Sequence, residues 1–292
     1  MAYIALLASV ALAAGSNVFI KLYQKKVDDK SVGDCVYFII MIIVACLYFA
    51  FLAGFNLRLN IITALCSLVL AVISFLVNFF LLKAYKYTDM INVSVASSGG
   101  GIVIPALMGM IFLGDDINIK IISGIFFAVL SVVIPYFGSE KTGKNSLKGF
   151  LMCVMIFIAY GAAGDFGKIY TMIPGVISDS VYCFYANVFM PPFVVSLARK
   201  GTTFKKTFNK AKTYPKIVFL IPVFVCLVAN SSTYIAIFVN RNMDITVYSI
   251  LNSALRTIIV SVFAFLFFKE KFTKEKTASM ILAILASILT VV

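Results

Sequence analysis

Histidine and tryptophan are both absent from this 292-residue chain, and acidic residues number only 12. Without histidine the chain lacks the commonest general base and the commonest metal ligand. Most membrane-embedded metalloprotease and histidine-based redox schemes are thereby closed to it. A Walker A run is missing too, so the chain carries no ATP-driven motor of its own. There is no selectivity-filter signature, and the scattered serines have no base beside them. The residues therefore predict neither an enzyme nor a bound cofactor or metal.

Apolar length is what the chain does have. It is 62% hydrophobic and only 13% charged, with a mean hydropathy of +1.04, whereas a soluble chain carries roughly 25% charged residues. The apolar runs reach the ~20 residues that a bilayer span needs. About ten spans are predicted, at 2–22, 34–55, 60–82, 90–113, 117–138, 147–169, 178–198, 216–238, 244–268 and 274–292. They leave no stretch for a separate soluble domain, so the fold class is an all-α, multi-pass integral membrane protein. The first run lacks the basic leader of a signal peptide and reads as a helix. All six cysteines fall inside spans, as small apolar packing residues.

The net charge of +13 is a topology signal rather than a nucleic-acid patch, because of where it lies. Twenty lysines and arginines sit on odd-numbered connections, and only Arg58, Lys120, Lys168 and Arg241 on even ones. The positive-inside rule puts odd connections in the cytoplasm and both termini outside. The seventh connection, rich in lysine with Phe204 and Phe208 four apart, reads either as an interfacial helix on anionic lipid or as a solvated linker.

A shift of 155 positions lays the middle of the chain on its end. Asp89 falls on Asp244, Ser94 on Ser249, Ser98 on Ser253, Phe112 on Phe267 and Ala128 on Ala283, and Asp115 on Glu270. A duplicated unit of five spans must be inverted relative to its twin. The basic connections agree: they follow the first and third spans of one half but the second and fourth of the other. Residues 1–138 and 139–292 are thus expected to be two inverted five-helix repeats.

Polar groups inside spans mark the candidate site, since they are costly in hydrocarbon. Arg256 lies halfway along the ninth span and cannot deprotonate. It must meet a substrate carboxylate or a structural partner such as Asp165, which could instead pair with Lys168. The fourth span carries Ser97, Ser98 and Gly99-Gly100-Gly101 before Pro105. Those glycines either admit a neighbouring helix or loosen the backbone beside a cavity. The repeat aligns Gly101 with Arg256 and Ser97 with Asn252, so both related helices are polar at one depth. Asn17, Asn78, Asn230 and Tyr234 complete the candidate lining, with Tyr160, Tyr182, Tyr185 and Asn187 as further polar groups. Asp165 is the carboxylate placed deep enough to carry a coupling proton, and Pro191-Pro192 should break or bend the seventh span.

Ten spans in a five-plus-five duplication resemble the EamA-type members of the drug/metabolite transporter superfamily. So do the first helix, Ala14-Gly15-Ser16-Asn17-Val18-Phe19-Ile20-Lys21, and the endings Ile111-Phe112-Leu113-Gly114-Asp115 and Leu266-Phe267-Phe268-Lys269-Glu270. The family usually has Gly-Glu-Arg at both endings, and this chain has Gly-Asp-Asp and Lys-Glu-Lys. The resemblance implies a secondary carrier of the plasma (inner) membrane that exports or exchanges a small metabolite, amino acid or drug by alternating access. Its partners would be that substrate, membrane lipid, and a coupling proton or exchanged metabolite. The alternative is a non-transporting membrane protein, either a scaffold or a lipid-modifying enzyme. Nothing in the residues fixes an oligomeric state.

Overall fold

The computed structural model describes residues 2–27, 30–108, 110, 118–137, 147–173, 175, 177–199, 209, 211–242 and 245–290. Within them a helix lies on every predicted span. The first half holds α1 (Ala2–Lys26), α2 (Lys30–Leu52), α3 (Ile61–Tyr87), α4 (Met90–Met108) and α5 (Ile119–Phe137). The second half holds α6 (Leu147–Met172), α7 (Asp179–Val188), α8 (Pro191–Arg199), α9 (Lys216–Asn242), α10 (Ile245–Phe268) and α11 (Lys274–Leu289). Seven of these helices are long and apolar enough to cross a membrane. The seventh span is split into α7 and α8 just ahead of Pro191-Pro192, because a proline ring disfavours helix in the residue before it. The seventh connection, with Phe204 and Phe208, lies outside the described residues.

Helix ends are set locally. Asn60 starts α3 by accepting the Thr63 N–H at 2.7 Å, and Thr273 caps α11 in the same way through the Lys276 N–H at 3.4 Å. Pro105, Pro135 and Pro222 lie inside α4, α5 and α9, where each removes one backbone hydrogen bond.

Packing is reciprocal between the halves. α1 packs on α9 and α3 on α6; α4 packs on α6 and α1 on α10; α2 packs on α9 and α3 on α7. Exchanging α1 with α6, α2 with α7, α3 with α9 and α4 with α10 turns the first member of each couple into the second. α4 meets α10 and α5 meets α11 across the middle. Serine hydroxyls bridge these interfaces to main-chain carbonyls. Ser232 on α9 donates to the Ser9 carbonyl on α1 at 2.7 Å, Ser67 on α3 to that of Tyr182 on α7 at 3.0 Å, and Ser279 on α11 to that of Ser131 on α5 at 2.5 Å. Small residues allow the approach, and each hydroxyl finds an acceptor where lipid offers none.

The closest approach is between α4 and α6. A Cβ at Gly100 would stand 1.9 Å from the Phe157 carbonyl oxygen, and one at Gly161 would stand 2.3 Å from Ile104 Cγ1. Gly101, next in line, has nothing within 4 Å of that position and is exposed. The close-approach reading of the glycine run therefore holds at Gly100, while Gly101 remains free of neighbours. Gly100→Ala should force α4 and α6 apart and destabilise by about 1–3 kcal/mol, the usual cost of overpacking. Gly101→Ala should be neutral or stabilise by about 0.5–1 kcal/mol through helix propensity. Thermal unfolding in detergent separates the two variants, and equal midpoints would contradict this packing.

Candidate functional site

Burial collects at the end of the bundle that carries the odd-numbered connections. Every residue from Val32 to Phe38 on α2 and from Met90 to Gly100 on α4 is buried, as are Leu81, Leu82, Ala84 and Tyr85 near the end of α3. Tyr23, Tyr37 and Phe38 are among the largest fully buried side chains, and their rings pack in sequence, tilted at 5.3 Å from Tyr23 to Tyr37 and edge-to-face at 5.8 Å from Tyr37 to Phe38. The even-numbered connections meet at the other end, where Asn60 Nδ2 donates to the Gly175 carbonyl at 2.7 Å and Tyr185 Oη to that of Leu57 at 2.7 Å.

Among the described residues, three ion pairs fasten the basic end. Lys21 of α1 pairs with Glu270, Lys83 of α3 with Asp34 of α2 at 2.5 Å, and Lys276 of α11 with Asp89 at 2.6 Å. Glu270 does more than neutralise Lys21. Its carboxylate also accepts the Met90 N–H at 2.9 Å and the Ile91 N–H at 3.3 Å, the first turn of α4. Those N–H groups have no partner inside their own helix, and the positive end of the helix dipole favours a carboxylate there. Lys269, which ends α10 in the left-handed conformation at φ 52°, turns the chain so that Glu270 reaches α4. That conformation is strained for a residue with a Cβ, and it stands where the EamA-type pattern usually has glycine.

These pairs amend the sequence reading. Lys21 and Lys276, counted there as connection charges, are each only 6% exposed. Asp165 was the carboxylate expected to lie deep enough to carry a coupling proton, and its side chain lies outside the described residues; Asp34 and Glu270 are buried, at 4% and 6% exposure. The signal was present in sequence as an acidic residue following each copied span. Nothing in the sequence, however, showed that the second of these reaches back to α4.

Deeper in the bundle, the Arg256 guanidinium donates through Nη2 to Tyr160 Oη at 3.1 Å and lies over the same ring, 4.8 Å from its centroid. Among the described residues no carboxylate pairs with it; the side chains of Asp165 and Lys168 lie outside that set. Next to it, Thr257 Oγ1 donates to Ser98 Oγ at 3.1 Å, joining α10 to α4. The other candidates spread out. Ser97 bonds back to the Ser94 carbonyl at 2.9 Å, Asn78 to that of Ser74 at 2.9 Å, and Asn230 to Cys226 Sγ at 3.1 Å, each within its own helix. Asn17 is buried in α1, Asn252 is partly buried in α10, and Gly101 faces open space. Tyr234 is 54% exposed and stands about 200° around α9 from Ser232, which faces α1. The structure thus pairs Arg256 with Tyr160 and, at the next residue of α10, Thr257 with Ser98, whereas Tyr234 is exposed.

Long apolar helices, buried ion pairs at one end and a cation held midway along a span define a multi-pass helical membrane protein. Residues 1–137 match the model of the EamA-like transporter family. No curated protein matches the chain. In structure, 25 solved chains match it. One, described as "Crystal structure of protein", aligns over 97% of this chain and 94% of its own with a TM-score of 0.61 at 11% identity. At that identity the likeness establishes a shared fold along nearly the whole chain.

Taking one partner from a buried pair leaves the other charge stranded, at a cost of about 3–5 kcal/mol. Lys21→Met and Glu270→Leu should each lower thermal stability, the latter more because α4 also loses its cap. The double variant should lose less than the sum by about 1 kcal/mol or more. Strict additivity in a double-mutant cycle would mean that the two side chains are not coupled.

Proposed function

We propose that this protein is a secondary carrier that moves a small metabolite across the plasma (inner) membrane by alternating access, through export or exchange. Its working parts are two inverted five-helix repeats, residues 1–138 and 139–292, with the substrate held between α4, α6 and α10. The observation that carries this reading is Arg256, a permanent cation midway along a span whose described partner is the neutral Tyr160 hydroxyl. A cation kept in the membrane interior marks a substrate or ion path more often than a scaffold, and inverted repeats place such sites near the midplane. The reciprocal helix pairing supports the repeats, and the match of the first half to a transporter family supports the activity.

The distribution of burial supplies the rest of the mechanism. A carrier seals one side while the other admits substrate. The ion pairs and packed aromatics seal the basic end, which loop charge assigns to the cytoplasm. Substrate then enters from the side of the even-numbered connections and of both termini. Reaching the opposite state requires Lys21 and Glu270 to part and α4 to lose its cap.

The direct test is Arg256→Ala in reconstituted vesicles, with uptake measured for a panel of labelled amino acids and small organic acids. Wild-type protein should transport at least one member. The variant should abolish that flux while keeping the wild-type chromatographic profile and melting midpoint to within a few degrees. A variant that unfolds instead would make Arg256 structural and remove the basis of this assignment.

A further inference from the structure

The surroundings of Arg256 contain more hydrogen-bond donors than the protein gives acceptors. Arg256 Nε is buried and has no acceptor, although Nη2 of the same group is bonded to Tyr160. The hydroxyls of Tyr37 on α2 and Tyr85 on α3 are likewise buried without a partner, and the two side chains are 0% and 6% exposed. These are not scattered orphans. Tyr85 is within electrostatic reach of Tyr160, Arg256, Tyr37 and Glu270, and Tyr37 within that of Tyr160. Tyr37 and Tyr85 belong to one buried cluster, and Tyr160 packs against it. Two of the four residues come from each half of the chain, so the cluster spans the interface between the halves.

Buried polar groups are nearly always satisfied, and several unsatisfied ones together call for an explanation. A tyrosine hydroxyl can donate or accept, but a guanidinium only donates and is always charged. A ligand that answers all three groups must offer acceptor lone pairs at more than one atom and carry negative charge. A carboxylate does both, and its hydrogen bonds to charged donors are the strong kind.

Building on the carrier reading above, we propose that Arg256, Tyr85 and Tyr37 form the carboxylate-binding site of the transported molecule, with Tyr160 as a positioning residue. Arg256 Nε and the two tyrosine hydroxyls donate to the carboxylate oxygens. Tyr160 fixes the guanidinium by accepting from Nη2 and by stacking beneath it, so that Nε stays turned toward the ligand. The apolar part of the substrate lies against the surrounding cluster, where Ile259 and Phe263 flank the turn beyond Arg256. The substrate class is therefore a small amphipathic carboxylic acid. Because Tyr85 is within electrostatic reach of both Arg256 and Glu270, a carboxylate bound there also acts on the closure of the basic end.

The experiment uses the full chain in lipid nanodiscs, with benzoate and pyruvate compared against benzamide and pyruvamide in thermal-shift titrations at matched ionic strength. Both acids should raise the melting midpoint and the amides should not. Tyr85→Phe and Tyr37→Phe should leave the ligand-free midpoint unchanged or raised, since each removes a hydroxyl that has no partner. The same variants should weaken carboxylate binding by about tenfold or more, the effect of one hydrogen bond to a charged group. Tyr160→Phe keeps the ring but loses the acceptor, and should reduce the preference for acid over amide. The proposal is overturned if the acids give no shift, if amides bind as well as acids, or if Tyr85→Phe lowers the ligand-free midpoint. Vesicles separate the two readings. Flux of a neutral compound without acid binding would leave the carrier and remove the carboxylate; acid binding without any flux would do the reverse.

Discussion

A carboxylate near the end of a membrane span must be paired, and Glu270 meets that demand with groups from two other helices at once. It takes Lys21 from α1 and the first N–H groups of α4, and the left-handed turn at Lys269 delivers it there. Both of those helices lie in the first half of the chain, whereas Glu270 belongs to the second. One side chain thereby ties the halves together at the basic end, and the arrangement above it follows. With α4 held at its first turn, Gly100 meets Phe157 and the serines of α4 come level with Thr257 on α10.

The interaction also explains why the two ends of the bundle differ. Ion pairs are favourable in a low-dielectric setting only when geometry and extra hydrogen bonds offset the loss of water. Glu270 has those extra bonds, and Asp34 has Gln24 at 3.2 Å in addition to Lys83. Such pairs fit a closure that is firm yet separable, because parted charges at the end of a span can return to water. Farther in, no such exit exists. Arg256 must keep a partner at every stage, and Tyr160 is its partner in this state while a carboxylate is proposed as the addition.

Much of the architecture could be read from residue order. Runs of apolar residues located each span, lysine placement sorted the connections into two groups, and Pro191-Pro192 marked the break between α7 and α8. The offset of 155 put Gly101 and Arg256 at one depth, and Ser98 with Thr257 shows the two helices in contact. What could not be read was which side chains turn toward one another. Asn78 and Asn230 looked like lining residues yet bond within their own helices, and Tyr234 points away from α1. Tyr37 and Tyr85 were not among the polar groups singled out from the sequence. Only the packing shows that their hydroxyls are buried. Lys21 falls inside the predicted span 2–22 yet was counted with the first connection, because sequence does not show that a lysine at a span end is buried against a carboxylate.

The central claim is that the basic end is closed and the Arg256 region is reached from the opposite side. Gly101, exposed and with open space where its Cβ would be, provides the probe. The most direct measurement is labelling of Gly101→Cys, in a background without other cysteines, by a membrane-impermeant thiol reagent applied to intact cells and to inverted vesicles. The account predicts labelling from outside the cell, little from the cytoplasmic side, and a gain from that side when Glu270→Leu is added. Labelling from the cytoplasmic side alone, or no change on breaking the Lys21–Glu270 pair, would contradict it.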